Sequence, residues 1–275
     1  MAYPITASLV ALFLIAAPAA QAQGPAAAAV PAENLDTSLS PQCRVPGSSL
    51  YTLAPLRGVK RALRENRAVH VLAIGSSSTV GVGASSPQAS YPARLAGELE
   101  RLFPGIAIDV VNRGMSGESA AAAAERMRNA VAEVDPDLVI WQVGTNDALA
   151  RVDVDGFRST LADTVAWLKS HKVDTVIVDP QYTASLAKDE HYQSIVEAIG
   201  TVAREARVPL VRRYEAMRYL AGQPSNSGFL SGDRFHLNDL GYRCMAEHVA
   251  RAVTVSLLQA ESGPDQGAPE PPKQP

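Results

Sequence analysis

The sequence predicts an α/β protein, a three-layer α/β/α sandwich with about five parallel strands. Short apolar runs rich in Val, Ile and Leu alternate along the chain with longer stretches of helical periodicity, the order expected when each strand is followed by a crossover helix. The apolar runs lack polar alternation, which is typical of strands covered by helices on both faces. Apolar residues make up 47% of the chain and charged residues 19%, the composition of a globular protein.

The first half of the predicted domain holds three strands and two helices. A β-branched run over residues 69–74 stops at Gly75 and predicts a buried strand. Leucines at helical spacing predict a helix over 91–103, with Pro92 in its first turn. The next three elements are a strand over 106–111, an Ala-rich helix over 119–134 and a strand over 138–143.

The second half continues the alternation to the end of the domain. In chain order it predicts a helix over 157–169, a strand over 174–178, a helix over 188–206, a short strand over 209–211 and a helix over 238–258. Open parallel sheets bind ligands beyond the carboxyl ends of their strands. Functional residues are therefore expected directly after the first three strands.

Residues 1–22 are predicted to be a secretory signal peptide. Ser8 to Ala17 form its apolar run, and Ala20-Gln21-Ala22 supplies the small-x-small pattern of a cleavage site. The run is shorter than the roughly 20 residues that span a bilayer. Because no Lys or Arg precedes it, an uncleaved anchor is the alternative. The prediction is a secreted or periplasmic protein, with no stable membrane insertion once this segment is cleaved.

The rest of the chain divides by composition into three parts. Residues 23–49 are rich in Ala, Pro and Ser and predict a linker or a loosely attached arm. Residues 50–260 suit one domain with a single core. Residues 261–275, rich in Pro, Gly and Gln, predict a disordered tail.

The chain has two cysteines, Cys43 and Cys244. In an oxidising compartment such a pair often forms a disulfide, which here would join the N-terminal arm to the last helix. The other interpretation is a free thiol at Cys43 and a packed one at Cys244. The sequence leaves both open.

Composition and spacing argue against several partners. A formal net charge of -3 and 5% aromatic residues give no basis for nucleic-acid binding. No Cys/His spacing resembles a zinc site, so no metal is predicted. Gly81-Val82-Gly83 lacks the third glycine of a dinucleotide loop, and no organic cofactor is predicted. The sequence predicts no oligomeric state.

Four short polar stretches occupy the expected positions. Residues 75–79 follow the first strand, 112–117 the second and 144–147 the third, and 233–236 precede the last helix. In this order, over about residues 69–245, they resemble the four motifs of the SGNH (GDSL-like) hydrolases, a family of lipases and esterases. The resemblance implies a flavodoxin-like strand order and a serine hydrolase that needs no metal or organic cofactor.

The resemblance implies that Ser77 is the nucleophile. A serine hydroxyl attacks well only when a base takes its proton, and the sharp turn at Gly75 would project one serine into the crevice. Ser76 occupies the place where the family more often has Asp. The alternative is that these serines serve only as turn and helix-capping residues.

Asp233 and His236 would complete a catalytic triad. They are three residues apart, so the carboxylate can reach one ring nitrogen while the other faces the nucleophile. The carboxylate would fix the tautomer and stabilise the imidazolium formed during the reaction. The alternative is a surface pair or a capping feature.

The same resemblance implies three oxyanion donors: the N–H of Ser77, the N–H of Gly114 and the side-chain amide of Asn146. Outside an active site, Gly114 would be a turn glycine and Asn146 a loop residue bonded to its own backbone. Asp147 is assigned a structural role, because a carboxylate facing the oxyanion would oppose catalysis.

The predicted function is that of an exported serine esterase acting through an acyl-enzyme. The predicted partner is an acylated small molecule or a glycan. Export favours a carbohydrate or cell-envelope glycan, and loops too short for a lid favour a small acyl group such as acetyl. A short-chain lipase, lysophospholipase or thioesterase is the alternative, as is acyl transfer in place of hydrolysis. A non-catalytic glycan-binding protein of the same fold is the non-enzyme alternative. The absence of a Gly-x-Ser-x-Gly elbow argues against an α/β-hydrolase.

Overall fold

The computed structural model describes Met1, residues 35–223 and residues 228–259. The predicted signal peptide over 1–22 and the predicted tail over 261–275 lie outside the described residues. By internal contacts the chain divides into two units, Met1–Pro31 and Ala32–Pro275, and the second contains the sheet and its helices. Across the described stretches, no helix combines the length and apolarity of a membrane span.

A six-stranded sheet forms the middle layer, in the order β1-β6-β5-β4-β2-β3. The strands are β1 Tyr51–Thr52, β2 Val69–Gly75, β3 Ile108–Gly114, β4 Leu138–Gln142, β5 Asp174–Val178 and β6 Leu210–Val211. Strands β2 to β6 are parallel, and β1 pairs antiparallel with β6 at one edge. The predicted α/β fold with a flavodoxin-like order of five parallel strands is confirmed. The extra strand β1 is not among the predicted strands.

Helices form the outer layers. They are α1 Gly47–Leu50, α2 Arg57–Arg64, α3 Ser77–Val80, α4 Tyr91–Leu102, α5 Ala120–Val134, α6 Thr145–Leu149, α7 Val154–Ser170, α8 Glu190–Ala206, α9 Arg213–Ala221 and α10 Asp239–Leu257. Among the residues that the structure describes, three 3-10 turns accompany them, at Pro41–Cys43, Pro87–Ala89 and Leu186–Lys188. The five long predicted helices are present to within a few residues. The shorter helices were not predicted, because one or two turns carry little helical periodicity.

Each face of the sheet supports its own apolar core. On β2, Val71 and Ala73 face a core shared with α2, α4, α9 and α10. Leu72 and Ile74, one position along, face a core shared with α5, α7 and α8. Successive side chains of a strand point to opposite faces, so a strand buried on both sides has an unbroken apolar sequence.

The predicted linker or arm over residues 23–49 is packed on the domain from residue 35 onward. Its Leu39 and Val45 are buried, and Cys43 forms a disulfide with Cys244 of α10. Of the two interpretations left open for the cysteines, the structure has the disulfide. The Ala/Pro-rich composition conceals these few apolar anchors, which is why composition alone predicts loose attachment.

The strand register brings three loops together at one edge of the sheet. Gly75 of β2 pairs with Gly114 of β3 on one side and with Gln142 of β4 on the other. The segments that leave these three positions therefore start side by side, at the carboxyl ends of the strands.

Candidate active site

The turn after β2 requires glycine. Gly75 has φ +151°, and a Cβ there would lie 2.5 Å from the Gln142 carbonyl oxygen and 2.6 Å from Thr79 Oγ1. With no side chain at this position, β2 can approach β4 closely and α3 can begin at once with Ser77. The Ser77 N–H is in the first turn of α3 and has no hydrogen-bond partner among the described residues.

The three serines of this turn have different environments. Ser76 is buried, and its N–H and hydroxyl both donate to Gln142 Oε1, at 3.2 and 3.0 Å. Ser78 is also buried, and its hydroxyl accepts from a buried guanidinium. Only Ser77 is partly exposed, with its Oγ 3.0 Å from Nε2 of His236. The turn therefore presents one hydroxyl to the open edge of the sheet.

The segment before α10 holds the histidine through a carboxylate. Nδ1 of His236 lies 2.6 Å from Oδ2 of Asp233. The other carboxylate oxygen accepts the N–H groups of Phe235 and His236, each at 2.9 Å, and the hydroxyl of Ser231 at 2.7 Å. The hydrogen bond from His236, followed by that from Ser231, holds the pKa of Asp233 well below its usual range. Asp233 is thus an anion fixed against the ring nitrogen that faces away from Ser77.

The segment after α3 positions the histidine loop. Gly83 has φ +92°, and a Cβ there would lie 2.5 Å from the Leu237 carbonyl oxygen and 3.1 Å from Cβ of His236. The hydroxyl of Tyr242 on α10 donates to the Val82 carbonyl at 2.6 Å. Gly81-Val82-Gly83 only partly matches a dinucleotide loop. In the structure this stretch instead packs the serine turn against the histidine loop.

Gly114 does not offer its N–H to the open site. That N–H donates to Oδ1 of Asn112 at 2.9 Å, and Nδ2 of Asn112 donates to the Thr79 carbonyl at 2.8 Å. A Cβ at position 114 would lie 2.4 Å from Val80 N, so glycine is needed for close packing of β3 against α3. The structure thus corrects the predicted oxyanion role of Gly114: this residue packs the turn, and its donor is occupied.

A second glycine of the same loop has the properties expected of a donor. Gly117 is exposed and has φ +79°, and its N–H has no hydrogen-bond partner in the described part of the chain. Nδ2 of Asn146 donates one hydrogen to the carbonyl of Glu118, the next residue, at 2.8 Å. The motif resemblance indicates the first glycine of Asn112-Arg-Gly-Met-Ser-Gly117, and the second differs from it in backbone conformation.

Asp147 has the structural position predicted for it. It is buried, and Oδ1 accepts the N–H of Ala120 at the start of α5, at 2.9 Å. Burial raises its pKa, and hydrogen bonds from backbone N–H groups oppose that rise. Asp147 therefore joins the loop after β4 to the helix after β3.

The structure brings together Ser77, His236 and Asp233, which come from the two ends of the domain. This arrangement suits nucleophilic attack by a hydroxyl on a carbonyl carbon, with a histidine to move the proton. In the described ranges, no group of three or more His, Cys, Asp or Glu side chains is arranged to hold a metal ion.

The family comparison matches most of the chain. The model of the Non-GDSL lipase-like family matches residues 42–258. This range contains Ser77, Asp233 and His236. A comparison with curated proteins gave no match.

Solved structures with the same fold include several hydrolases. A two-domain esterase active on acetylated mannans, co-crystallised with mannopentaose, superposes with a TM-score of 0.65 at 21% identity. The match covers 81% of this chain but 59% of that one, so this chain spans about three fifths of its length. An acetyl xylan esterase of Geobacillus stearothermophilus has a TM-score of 0.59 at 22% identity, covering 71% of this chain and all of its own. A lipase/acylhydrolase of Enterococcus faecalis has a TM-score of 0.56 at 22% identity, covering 68% of this chain and 96% of its own.

Proposed function

The chain belongs to the Non-GDSL lipase-like family, and we propose that it is an exported serine esterase of the SGNH type that removes small acyl groups from glycans. One observation carries this proposal: Ser77 Oγ lies 3.0 Å from Nε2 of His236, whose Nδ1 lies 2.6 Å from Asp233. Both distances are within hydrogen-bond reach, as a general base and its orienting carboxylate require. The proposed acyl group is acetyl, and the proposed carrier is a carbohydrate or cell-envelope glycan.

The reaction would proceed through an acyl-enzyme. As Ser77 Oγ attacks the ester carbonyl carbon, Nε2 of His236 takes the hydroxyl proton, and the ionised Asp233 stabilises the imidazolium. The tetrahedral intermediate collapses, and the imidazolium gives its proton to the departing alcohol oxygen. Water then attacks the acyl-enzyme and passes a proton to His236. The bond from the acyl carbon to Ser77 Oγ breaks, the imidazolium gives its proton to Oγ, and the acid is released.

The oxyanion donors would be the N–H of Ser77, the N–H of Gly117 and the side-chain amide of Asn146. The first two N–H groups have no partner among the residues that the structure describes. Asn146 uses one amide hydrogen on the carbonyl beside Gly117 and keeps the second. Gly117 thus takes the role that the motif resemblance assigned to Gly114.

The activities of other proteins with this fold support an acetylated glycan as the substrate. The solved structures that share it include an esterase active on acetylated mannans and an acetyl xylan esterase. Their identity to this chain is 21–22%, so they support a substrate class and no individual sugar. The apolar run and small-x-small pattern over residues 1–22 support export.

Acetate release from acetylated glycans tests the substrate class. We expect the purified protein to release acetate from acetylated mannan or xylan, and the Ser77→Ala variant to release none above background. The matched control is p-nitrophenyl esters of increasing chain length. Activity on butyryl and longer esters without acetate release would contradict the acetyl-glycan substrate and favour a short-chain lipase or thioesterase.

A further inference from the structure

Arg213, the first residue of α9, is a buried cation beside the serine turn. Its exposed fraction is 2%, and its guanidinium makes polar contacts with four groups. Nε donates to the Asp179 carbonyl at 3.0 Å, and Nη2 donates to Gln181 Oε1 at 2.8 Å. Nη1 donates to the hydroxyl of Ser78 at 3.2 Å and contacts the Met245 sulfur at 3.7 Å. The guanidinium therefore touches the residue that directly follows Ser77.

No carboxylate neutralises this cation by direct contact. Within the described residues, no Asp or Glu side-chain carboxylate forms an ion pair with Arg213. The four groups that contact it are a carbonyl, an amide oxygen, a hydroxyl and a thioether, which are all uncharged. Burial lowers the pKa of Arg213, yet a guanidinium stays protonated in proteins. A buried charge without a counter-ion in direct contact costs folding free energy.

Four titratable groups act electrostatically on Arg213. They are Asp179 after β5, Tyr91 on α4, Tyr192 on α8 and Tyr242 on α10. Burial raises the pKa of Asp179 to about 7, and its Oδ1 accepts the Tyr214 N–H at 2.8 Å. Burial raises the pKa of all three tyrosines, so they stay neutral at working pH. Below about pH 7, Asp179 is mostly protonated and the field of Arg213 is uncancelled.

From this geometry we propose that Arg213 is a positioning residue for the esterase reaction, a buried cation that holds Ser78 and stabilises the negative charge formed when Ser77 attacks. This inference rests on the proposed function. The guanidinium reaches the site through the side chain of Ser78 and the backbone of α3, and it does not touch the substrate. At an effective dielectric constant of about 20, a unit charge within about 10 Å of a developing charge changes a rate by about 10-fold or more.

Three variants separate charge from packing. We expect Arg213→Met to lower kcat for p-nitrophenyl acetate about 10- to 30-fold at pH 6.5, with KM within about twofold. Arg213→Lys keeps the charge but not the fork of hydrogen bonds, and we expect it to retain kcat within about threefold. Arg218→Met removes an exposed arginine of the same helix, paired with Glu215, and should leave both constants unchanged. Equal losses in the Met and Lys variants, or no loss in either, would overturn the proposal.

A second pair of variants keeps Arg213 in place and covers the case in which Arg213→Met does not fold. Ser78→Asp sets a carboxylate against the guanidinium and neutralises it, whereas Ser78→Asn has nearly the same shape without the charge. We expect kcat of the Asp variant to be at least tenfold below that of the Asn variant. Equal rates in this pair contradict the field effect. If the wild-type protein shows no Ser77-dependent esterase activity, the proposed function fails as a whole, which is distinct from failure of the role of Arg213.

Discussion

Residues 76–78 are chemically identical but differ in what their hydroxyls contact. Ser76 and Ser78 donate to or accept from buried side chains, and only Ser77 meets a histidine at the open edge of the sheet. The resemblance to SGNH motifs selected Ser77 from the sequence. The sequence could not reveal that Gln142 holds Ser76 or that an arginine 135 positions away holds Ser78, since these contacts depend on tertiary packing.

Asn146 is the side-chain donor in the proposed oxyanion hole. We expect Asn146→Ala to lower kcat about 100-fold or more with little change in KM, because its second amide hydrogen would act mainly on the charge of the intermediate. Steady-state kinetics with p-nitrophenyl acetate measure this. A loss confined to KM would show instead that Asn146 binds the ground state of the substrate.

At the scale of elements, the long strands and helices follow from periodicity, and the short ones do not. The strand over 174–178 agrees with β5 at both ends, and the last long helix differs from α10 by one residue at each end. By contrast, α3 and α6 carry Ser77 and Asn146 but have four and five residues. Two of the elements that carry functional residues are thus too short for the sequence pattern to predict.

Gly114 shows how two elements depend on one missing side chain. A Cβ at this position would lie 2.4 Å from Val80 N, so Gly114→Ala must push β3 and α3 apart. We expect this change to lower the free energy of unfolding by roughly 3 kcal/mol. Denaturant unfolding measures it.

Gly97 of α4 is the matched control for Gly114. No atom lies within 4 Å of a Cβ built there, so Gly97→Ala should be neutral or stabilising by up to about 1 kcal/mol. If Gly114→Ala were as stable as Gly97→Ala, the close packing of β3 on α3 would be contradicted.

At the scale of the whole molecule, the arm and the last helix close the domain. The Cys43–Cys244 disulfide spans 201 positions, and a cross-link closing so long a loop stabilises by about 5 kcal/mol in the chain-entropy view. Beside it, Nε2 of buried His248 lies 2.8 Å from the Cys43 carbonyl oxygen. The arm is therefore joined to α10 by a covalent bond, which the sequence leaves as one of two interpretations, and by a buried polar contact, which the sequence does not predict.

Buried His248 should make the stability of the folded domain sensitive to acid. Burial lowers its pKa from 6.5 to about 4. Between these values the unfolded chain binds a proton that the folded chain excludes. The stability due to neutral His248 is thus full above about pH 6.5 and decreases as the pH falls towards 4. Between pH 7 and 4.5 we expect the free energy of unfolding of the wild type to fall by about 2–3 kcal/mol more than that of His248→Gln. Denaturant unfolding at the two pH values measures this. The same pH dependence in both proteins would contradict this.

The central claim is that Ser77, activated by His236, is the nucleophile. Labelling with a fluorophosphonate probe, read by intact-protein mass, tests it most directly. We expect one adduct per molecule, located on Ser77 by peptide mapping, absent from Ser77→Ala and retained by Ser76→Ala. Folded wild-type protein that takes up no probe, or an adduct that persists in folded Ser77→Ala, would contradict the claim. The first outcome would favour a non-catalytic glycan-binding protein of the same fold.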